Sequence, residues 1–145
     1  MGEDSRFSRL CAQIDSYREE VVRLHRALTG FRAIGPSNGG PGEWPKARFV
    51  RDYLEQVGVD GLQEVNAPDS RVPEGSRPNL VAWIKGAGVG RRVWVMAHLD
   101  VVPPGDLSLW KTDPFEVVVE GERIYGRGVE DNQHGVVAGL LALKA

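Results

Sequence analysis

The chain has 145 residues, which is room for about one domain of ordinary size. Its 18 Lys and Arg residues nearly balance its 20 Asp and Glu residues, giving a formal net charge of −2. This balance excludes nucleic acid and anionic membrane surfaces as main partners, because both are bound through an excess of positive charge. With 41% hydrophobic residues, the composition is typical of a folded globular domain.

Membrane, secretory and disulfide classes are also disfavoured. The longest uncharged stretch near the end, residues 135–143, is far shorter than the ~18 residues that span a bilayer, so we predict no transmembrane helix. Charged residues such as Glu3 and Arg6 stand where a secretory signal would place an apolar run, which predicts a cytoplasmic location. Cys11 is the only cysteine, so a disulfide or a thiolate metal site within the chain is excluded.

Apolar residues at helical spacing predict two helices in the first half of the chain. The first is predicted over residues 5–29, with Gly30 as its stop. A loop rich in glycine and proline follows over residues 34–42. The second helix is predicted over residues 45–57, because Pro45 suits a first helical turn and the apolar positions after it repeat every three or four residues.

Strands and turns are predicted in the second half. Short runs rich in β-branched and aromatic residues predict buried strands over 80–84 and 93–97. We interpret the glycine-rich stretch between them, residues 86–90, as a hairpin turn. Its alternative, a phosphate-binding loop, lacks the final glycine of G-x-G-x-x-G and precedes a strand instead of a helix. A second hairpin is predicted over 115–125, and a helix from Asp131 onward.

The strongest candidate for chemistry is His98-Leu99-Asp100, at the carboxyl end of the predicted strand 93–97. Side chains two residues apart on a strand point to the same side. His98 can therefore bind a metal through one ring nitrogen while Asp100 accepts a hydrogen bond from the other, which fixes the tautomer. The tripeptide alone leaves open the alternative of a purely structural histidine at a strand end.

A second candidate segment is Gly126-Arg127-Gly128-Val129-Glu130-Asp131-Asn132-Gln133-His134-Gly135. Its glycines allow a sharp turn before the predicted helix, and Glu130 and Asp131 stand side by side. Taken alone, Asp131 is more typical of a helix N-cap that accepts hydrogen bonds from free backbone N–H groups. Taken with His98 and Asp100, it lies where open α/β sheets place their functional sites.

In this order the motifs resemble the M20 family of dinuclear zinc peptidases and amidohydrolases. The family includes succinyl-diaminopimelate desuccinylase, acetylornithine deacetylase, aminoacylase, glutamate-releasing carboxypeptidase and dipeptidases. The resemblance implies an α/β fold, a three-layer sandwich with a mixed sheet. Residues 1–145 would be the incomplete N-terminal part of its catalytic domain, without the lid domain. The matching motifs are His98-Leu99-Asp100-Val101-Val102-Pro103, Trp110 with Asp113-Pro114-Phe115, and Tyr125-Gly126-Arg127-Gly128 leading to Asp131.

The resemblance also implies a role for each matching residue. His98 matches a histidine that binds one zinc ion, Asp100 the active-site acid that orients it, and Asp131 the carboxylate that bridges two zinc ions. Glu130 is a rival for the bridge, because the glycine that follows in the family is displaced by one place here. His134 is a further candidate ligand, although a histidine in the first turn of a helix is more often solvated. Co²⁺ or Mn²⁺ are alternatives to Zn²⁺.

The implied reaction is metal-dependent hydrolysis of an amide bond in an N-acyl amino acid or small peptide. The family's general-base glutamate and remaining ligands have no counterpart in residues 1–145, so we expect weak zinc binding and poor catalysis by this chain alone. One alternative is a non-catalytic remnant that binds partners or forms homo-oligomers through an exposed apolar surface. The other is a nucleotide-binding module that uses residues 86–90.

Overall fold

The computed structural model describes residues 2–88 and 90–145. Val89, in the middle of the stretch 86–90 interpreted as a hairpin turn or phosphate-binding loop, lies outside the described residues. In the described part of the chain, no helix is long and apolar enough to cross a membrane. The helices are α1 (Gly2–Asp15), α2 (Arg18–Gly30), α3 (Trp44–Val57) and α4 (His134–Lys144), and the strands are β1 (Gly61–Glu64), β2 (Ala67–Pro68), β3 (Ser76–Arg77), β4 (Leu80–Trp83), β5 (Val118–Glu120) and β6 (Arg123–Tyr125).

Helices α2, α3 and α4 pack around one apolar core. Their buried positions recur every three or four residues, as expected for helices that each bury one face. The strand residues Leu62, Leu80 and Ala82 pack partly buried against the same core. The buried core residues are Tyr17, Leu24, Leu28, Val50, Tyr53, Leu54, Val136, Val137, Leu140 and Leu141.

The single helix predicted over residues 5–29 is wrong, because the structure divides it into α1 and α2. The division lies at Ser16 and Tyr17. The hydroxyl of Ser16 donates to the carbonyl oxygen of Gln13 at 2.6 Å, a local bond that competes with the helical ladder. Tyr17 is buried against the core, whereas Ile14 on α1 is 48% exposed. Only α2 therefore belongs to the core.

The second predicted helix is confirmed as α3. Pro45 occupies its first turn, and Gly58 caps its end with a left-handed φ of 80°. The amide of Gly58 donates to the carbonyl oxygen of Leu54 at 3.2 Å, which satisfies one of the free carbonyls at the helix end.

The described strands form three separate antiparallel pairs, β1 with β4, β2 with β3, and β5 with β6. The strand predicted over 80–84 is confirmed as β4, and the hairpin predicted over 115–125 as β5 and β6, which turn at Gly121. The sequence did not predict β1, whose residues are half polar. This mixture of helices and short strands confirms the α/β class.

The strand predicted over residues 93–97 is wrong. Residues 91–100 adopt no regular secondary structure, and the side chains of Val93 and Met96 are 89% and 85% exposed. A strand needs neighbours to receive its backbone hydrogen bonds, and the described residues place none beside this segment. The first pairing comes just after it, where Val101 forms a parallel bridge with Ile34.

Candidate metal site

The bridge at Val101 anchors the segment that carries His98 and Asp100. The amide of Val101 donates to the carbonyl oxygen of Ala33 at 2.9 Å, and the Val101 side chain is buried. His98 and Asp100 lie one to three residues before this fixed point, with side chains 46% and 42% exposed. Both side chains are thus held at the surface by a buried neighbour.

An irregular turn over Val129–Gln133 presents Asp131. Gly128 enters the turn with a left-handed φ of 82°, and the amide of Gln133 donates to its carbonyl oxygen at 2.9 Å. Gln133 is buried and accepts a hydrogen bond from the Thr29 hydroxyl at 2.8 Å. The turn is therefore closed on its inner side, while the Asp131 side chain remains 84% exposed.

The structure brings His98, Asp100 and Asp131 together. The roles of these residues in binding a metal stay predictions. Nε2 of His98 lies 2.9 Å from Oδ1 of Asp131. On the other side of the ring, Nδ1 lies 3.0 Å from the Asp100 carbonyl oxygen and 3.2 Å from Oδ1 of the same residue. The imidazole thus lies between two carboxylates, one at each nitrogen.

This arrangement favours the protonated imidazole. Partial burial opposes a charge on His98, but the hydrogen bonds to Asp131 and to the Asp100 carbonyl oxygen, with the charges of both carboxylates, outweigh it. The result is a pKa of His98 raised above its ordinary value. A metal ion at Nε2 would have to displace a proton that these groups hold.

Glu130 and His134 lie apart from this contact. Glu130 is exposed on the same turn, and the carboxylate that meets Nε2 of His98 is that of Asp131. His134 begins α4, and its charge acts on His25 of α2. Asp131 is also not a helix N-cap, since α4 follows Gln133 and has no side-chain cap. Within residues 2–88 and 90–145, no three His, Cys, Asp or Glu side chains converge as a metal-binding group.

Sequence reasoning missed three charged residues close to Asp100. They are Glu43, Lys46 and Arg77, brought together by the start of α3 and by β3. One signal was available, because Lys46 falls four residues before Val50 and hence on the apolar stripe of α3. Nothing comparable in the local sequence marked Glu43 or Arg77, whose pairing spans 34 residues.

The segment that carries these contacts matches a known family model. Residues 94–145, which include His98, Asp100 and Asp131, match the model of peptidase family M20/M25/M40. Over this segment the chain is similar to members of the M20 family. An uncharacterized metallohydrolase of Methanocaldococcus jannaschii is 41% identical over 132 residues, covering 87% of this chain and 32% of that protein.

Other M20-like relatives carry specific names. A succinyl-diaminopimelate desuccinylase of Nitratiruptor sp. is 33% identical over 86% of this chain and 29% of its own length. The structure of human carnosine dipeptidase 1 superposes with a TM-score of 0.72 at 23% identity, covering 94% of this chain and 30% of that one. The chain described here therefore spans about a third of the length of these relatives.

Proposed function

We propose that residues 98–131 supply part of a metal centre that hydrolyses amide bonds in N-acyl amino acids or small peptides. The observation that carries the proposal is the His98 imidazole held between Asp100 and Asp131. The names of the relatives support it, since they include a metallohydrolase, a desuccinylase and a deformylase. The deformylase, which acts on an N-formyl pyrimidine in Halalkalibacterium halodurans, is 30% identical over 93% of this chain and 30% of its own length.

The donor atoms fit a metal ion of the Zn²⁺, Co²⁺ or Mn²⁺ type. Nε2 of His98 and Oδ1 of Asp131 would hold the ion, because imidazole nitrogen and carboxylate oxygen are common ligands of these ions. Asp100 would accept a hydrogen bond from Nδ1–H of His98 and so keep Nε2 free to bind the ion. When bound, such ions polarise a carbonyl group and lower the pKa of water.

The proposal extends to partners and location. The substrate is a small molecule or peptide, and neither nucleic acid nor a membrane is a partner, in keeping with the near-neutral charge. Self-association would use the exposed apolar segment 93–96, whose four side chains are each at least 67% exposed. The cytoplasmic location predicted from the sequence is retained.

Calorimetric titration of the purified chain with Zn²⁺ tests the metal site. We expect weak binding, because two ligands fall short of the roughly four that make zinc sites tight. Binding should be lost in His98→Ala and in Asp131→Asn, and kept in the matched control Glu130→Gln, which removes the neighbouring exposed carboxylate. Submicromolar binding would show that further ligands exist. No binding at any concentration would favour the non-catalytic remnant.

Catalysis tests the other half of the proposal. General acid–base assistance contributes roughly 10²–10⁴ in rate, and the two carboxylates in contact with His98 are already assigned to orienting the ring and holding the ion. We therefore expect no measurable hydrolysis of N-acyl amino acids or dipeptides by this chain with Zn²⁺, Co²⁺ or Mn²⁺. Turnover that survives repurification but disappears in Asp131→Ala would contradict this expectation.

A further inference from the structure

Asp100 contacts charged groups through both of its carboxylate oxygens. Oδ1 lies 3.2 Å from Nδ1 of His98, and Oδ2 lies 3.8 Å from Nη2 of Arg77. The carboxylate therefore has the imidazole on one side and a guanidinium group on the other. Rotation about its side-chain bonds would break both contacts at once.

The Arg77 guanidinium is itself fixed by a buried acid. Nε of Arg77 donates to Oε2 of Glu43 at 3.2 Å, and Nη2 donates to Oε1 of the same carboxylate. This two-bond contact fixes the plane of the guanidinium group as well as its position. Glu43 is 4% exposed and directly precedes α3, so the pair connects the helix to β3.

A second cation is buried against the same acids. Lys46 is only 1% exposed and lies on α3 three residues after Glu43. Burial lowers the pKa of Lys46 to about 8, against the opposing attraction of Asp100 and Glu43. A buried lysine needs such anionic neighbours, since an isolated charge is costly away from water. Asp100 is thus the neighbour of two cations, Arg77 and Lys46, which it shares with Glu43.

We propose that Glu43 and Arg77 form a positioning pair for the metal site. The pair holds Asp100 with Oδ1 at Nδ1 of His98, and so keeps Nε2 directed at Asp131. Arg77 acts through Asp100 and contacts neither ring nitrogen of His98. This inference rests on the proposed function only in stating that Nε2 binds a metal ion. The orientation of the imidazole is a property of the chain without metal.

The state of the His98 ring in the metal-free chain is the first test. The chain has three histidines, so ¹⁵N labelling of histidine gives an interpretable spectrum in which His25 and His134 are internal references. At a pH where His98 is neutral, we expect its proton mainly on Nδ1. Two acceptors, the carbonyl oxygen and Oδ1 of Asp100, lie beside Nδ1, whereas only Oδ1 of Asp131 lies beside Nε2, so losing the held position of the Asp100 side chain would remove this difference. Arg77→Gln and Arg77→Lys should both shift the population towards Nε2–H.

The matched control is Arg18→Gln. Arg18 makes a similar two-bond contact with Glu122, and the charges that act on this pair are those of its own two members. Arg18→Gln should leave the His98 signals unchanged. A His98 signal that is unchanged in a folded Arg77 variant, or that moves equally in Arg18→Gln, would overturn the proposal. If Arg77→Gln fails to fold by circular dichroism, Arg77→Lys decides, because it keeps the charge and removes the fork.

A double-mutant cycle on Zn²⁺ affinity is the second test. Loss of a group that supports a metal ligand typically weakens binding 10- to 100-fold, so we expect about tenfold for Arg77→Gln. In an Asp100→Asn background the same change should cost less than about twofold, since Arg77 acts through Asp100. Equal losses in both backgrounds would overturn the proposal. If the wild-type chain takes up no Zn²⁺, the proposed function fails, while the ¹⁵N spectrum still decides this inference.

Discussion

Replacing Gly128 with alanine should destabilise the turn that presents Asp131. Gly128 has a φ of 82°, and an added Cβ would lie 2.4 Å from Cγ1 of Val101 and 3.0 Å from Nε2 of Gln133. Val101 and Gln133 are both buried, at 5% and 2% exposure, so neither can move aside into solvent. The substitution therefore combines backbone strain with a steric clash.

The two contributions can be estimated separately. The left-handed conformation costs a residue with a Cβ roughly 1–2 kcal/mol, and forcing an extra methyl group into a packed site costs about 1–3 kcal/mol. Their sum predicts a loss of about 2–5 kcal/mol in the free energy of unfolding for Gly128→Ala. That is a large part of the stability of a domain this small.

Gly121→Ala is the matched control. Gly121 also has a positive φ, 59°, but no atom lies within 4 Å of the position its Cβ would take. It should therefore lose only the backbone contribution, roughly 1–2 kcal/mol. Adding Val101→Ala to Gly128→Ala should recover part of the excess, because it removes the methyl group that clashes.

Urea denaturation followed by circular dichroism measures these free energies, and Zn²⁺ titration of the folded variants reports on the turn itself. Because the turn carries Asp131, Gly128→Ala should also weaken Zn²⁺ binding, while Gly121→Ala should not. The reasoning is refuted if Gly128→Ala and Gly121→Ala lose equal stability, or if Val101→Ala has the same effect with and without the Gly128 substitution.

Two further predictions concern the core. Burial, together with the charge of His134, lowers the pKa of His25, so the unfolded chain takes up a proton first and the free energy of unfolding should fall as the pH drops below about 6.5. In denaturation at a series of pH values, His25→Phe should make the free energy of unfolding depend less on pH, and an unchanged pH dependence would contradict the role of His25. Leu28→Ala, at a fully buried position of α2, should lower the free energy of unfolding by about 2–5 kcal/mol in urea denaturation. Leu109→Ala, at an 82% exposed position, should change it by less than about 0.5 kcal/mol. Similar losses for both variants would show that α2 does not stabilise the core.

The sequence by itself determined the features that depend on neighbouring residues. Proline in the first turn and glycine after the last turn were enough to predict where α3 begins and ends, because both act through backbone conformation within a few residues. The β5 and β6 hairpin was predictable for the same reason, since its turn is local. The motif order around His98, Asp100 and Asp131 also carried the family assignment, which the match over residues 94–145 confirms.

Only the tertiary structure decided what depends on distant partners. Residues 93–97 have the composition of a strand, yet they form no regular secondary structure and stay exposed, because the described residues place no strand beside them to accept their hydrogen bonds. The irregular turn over Val129–Gln133 places Asp131, and not Glu130, next to His98, and a hydrogen bond between Thr29 and Gln133 closes this turn. Arg77 contacts both Glu43 and Asp100 across long sequence separations, and no periodicity or motif in the sequence indicates an electrostatic contact of that kind.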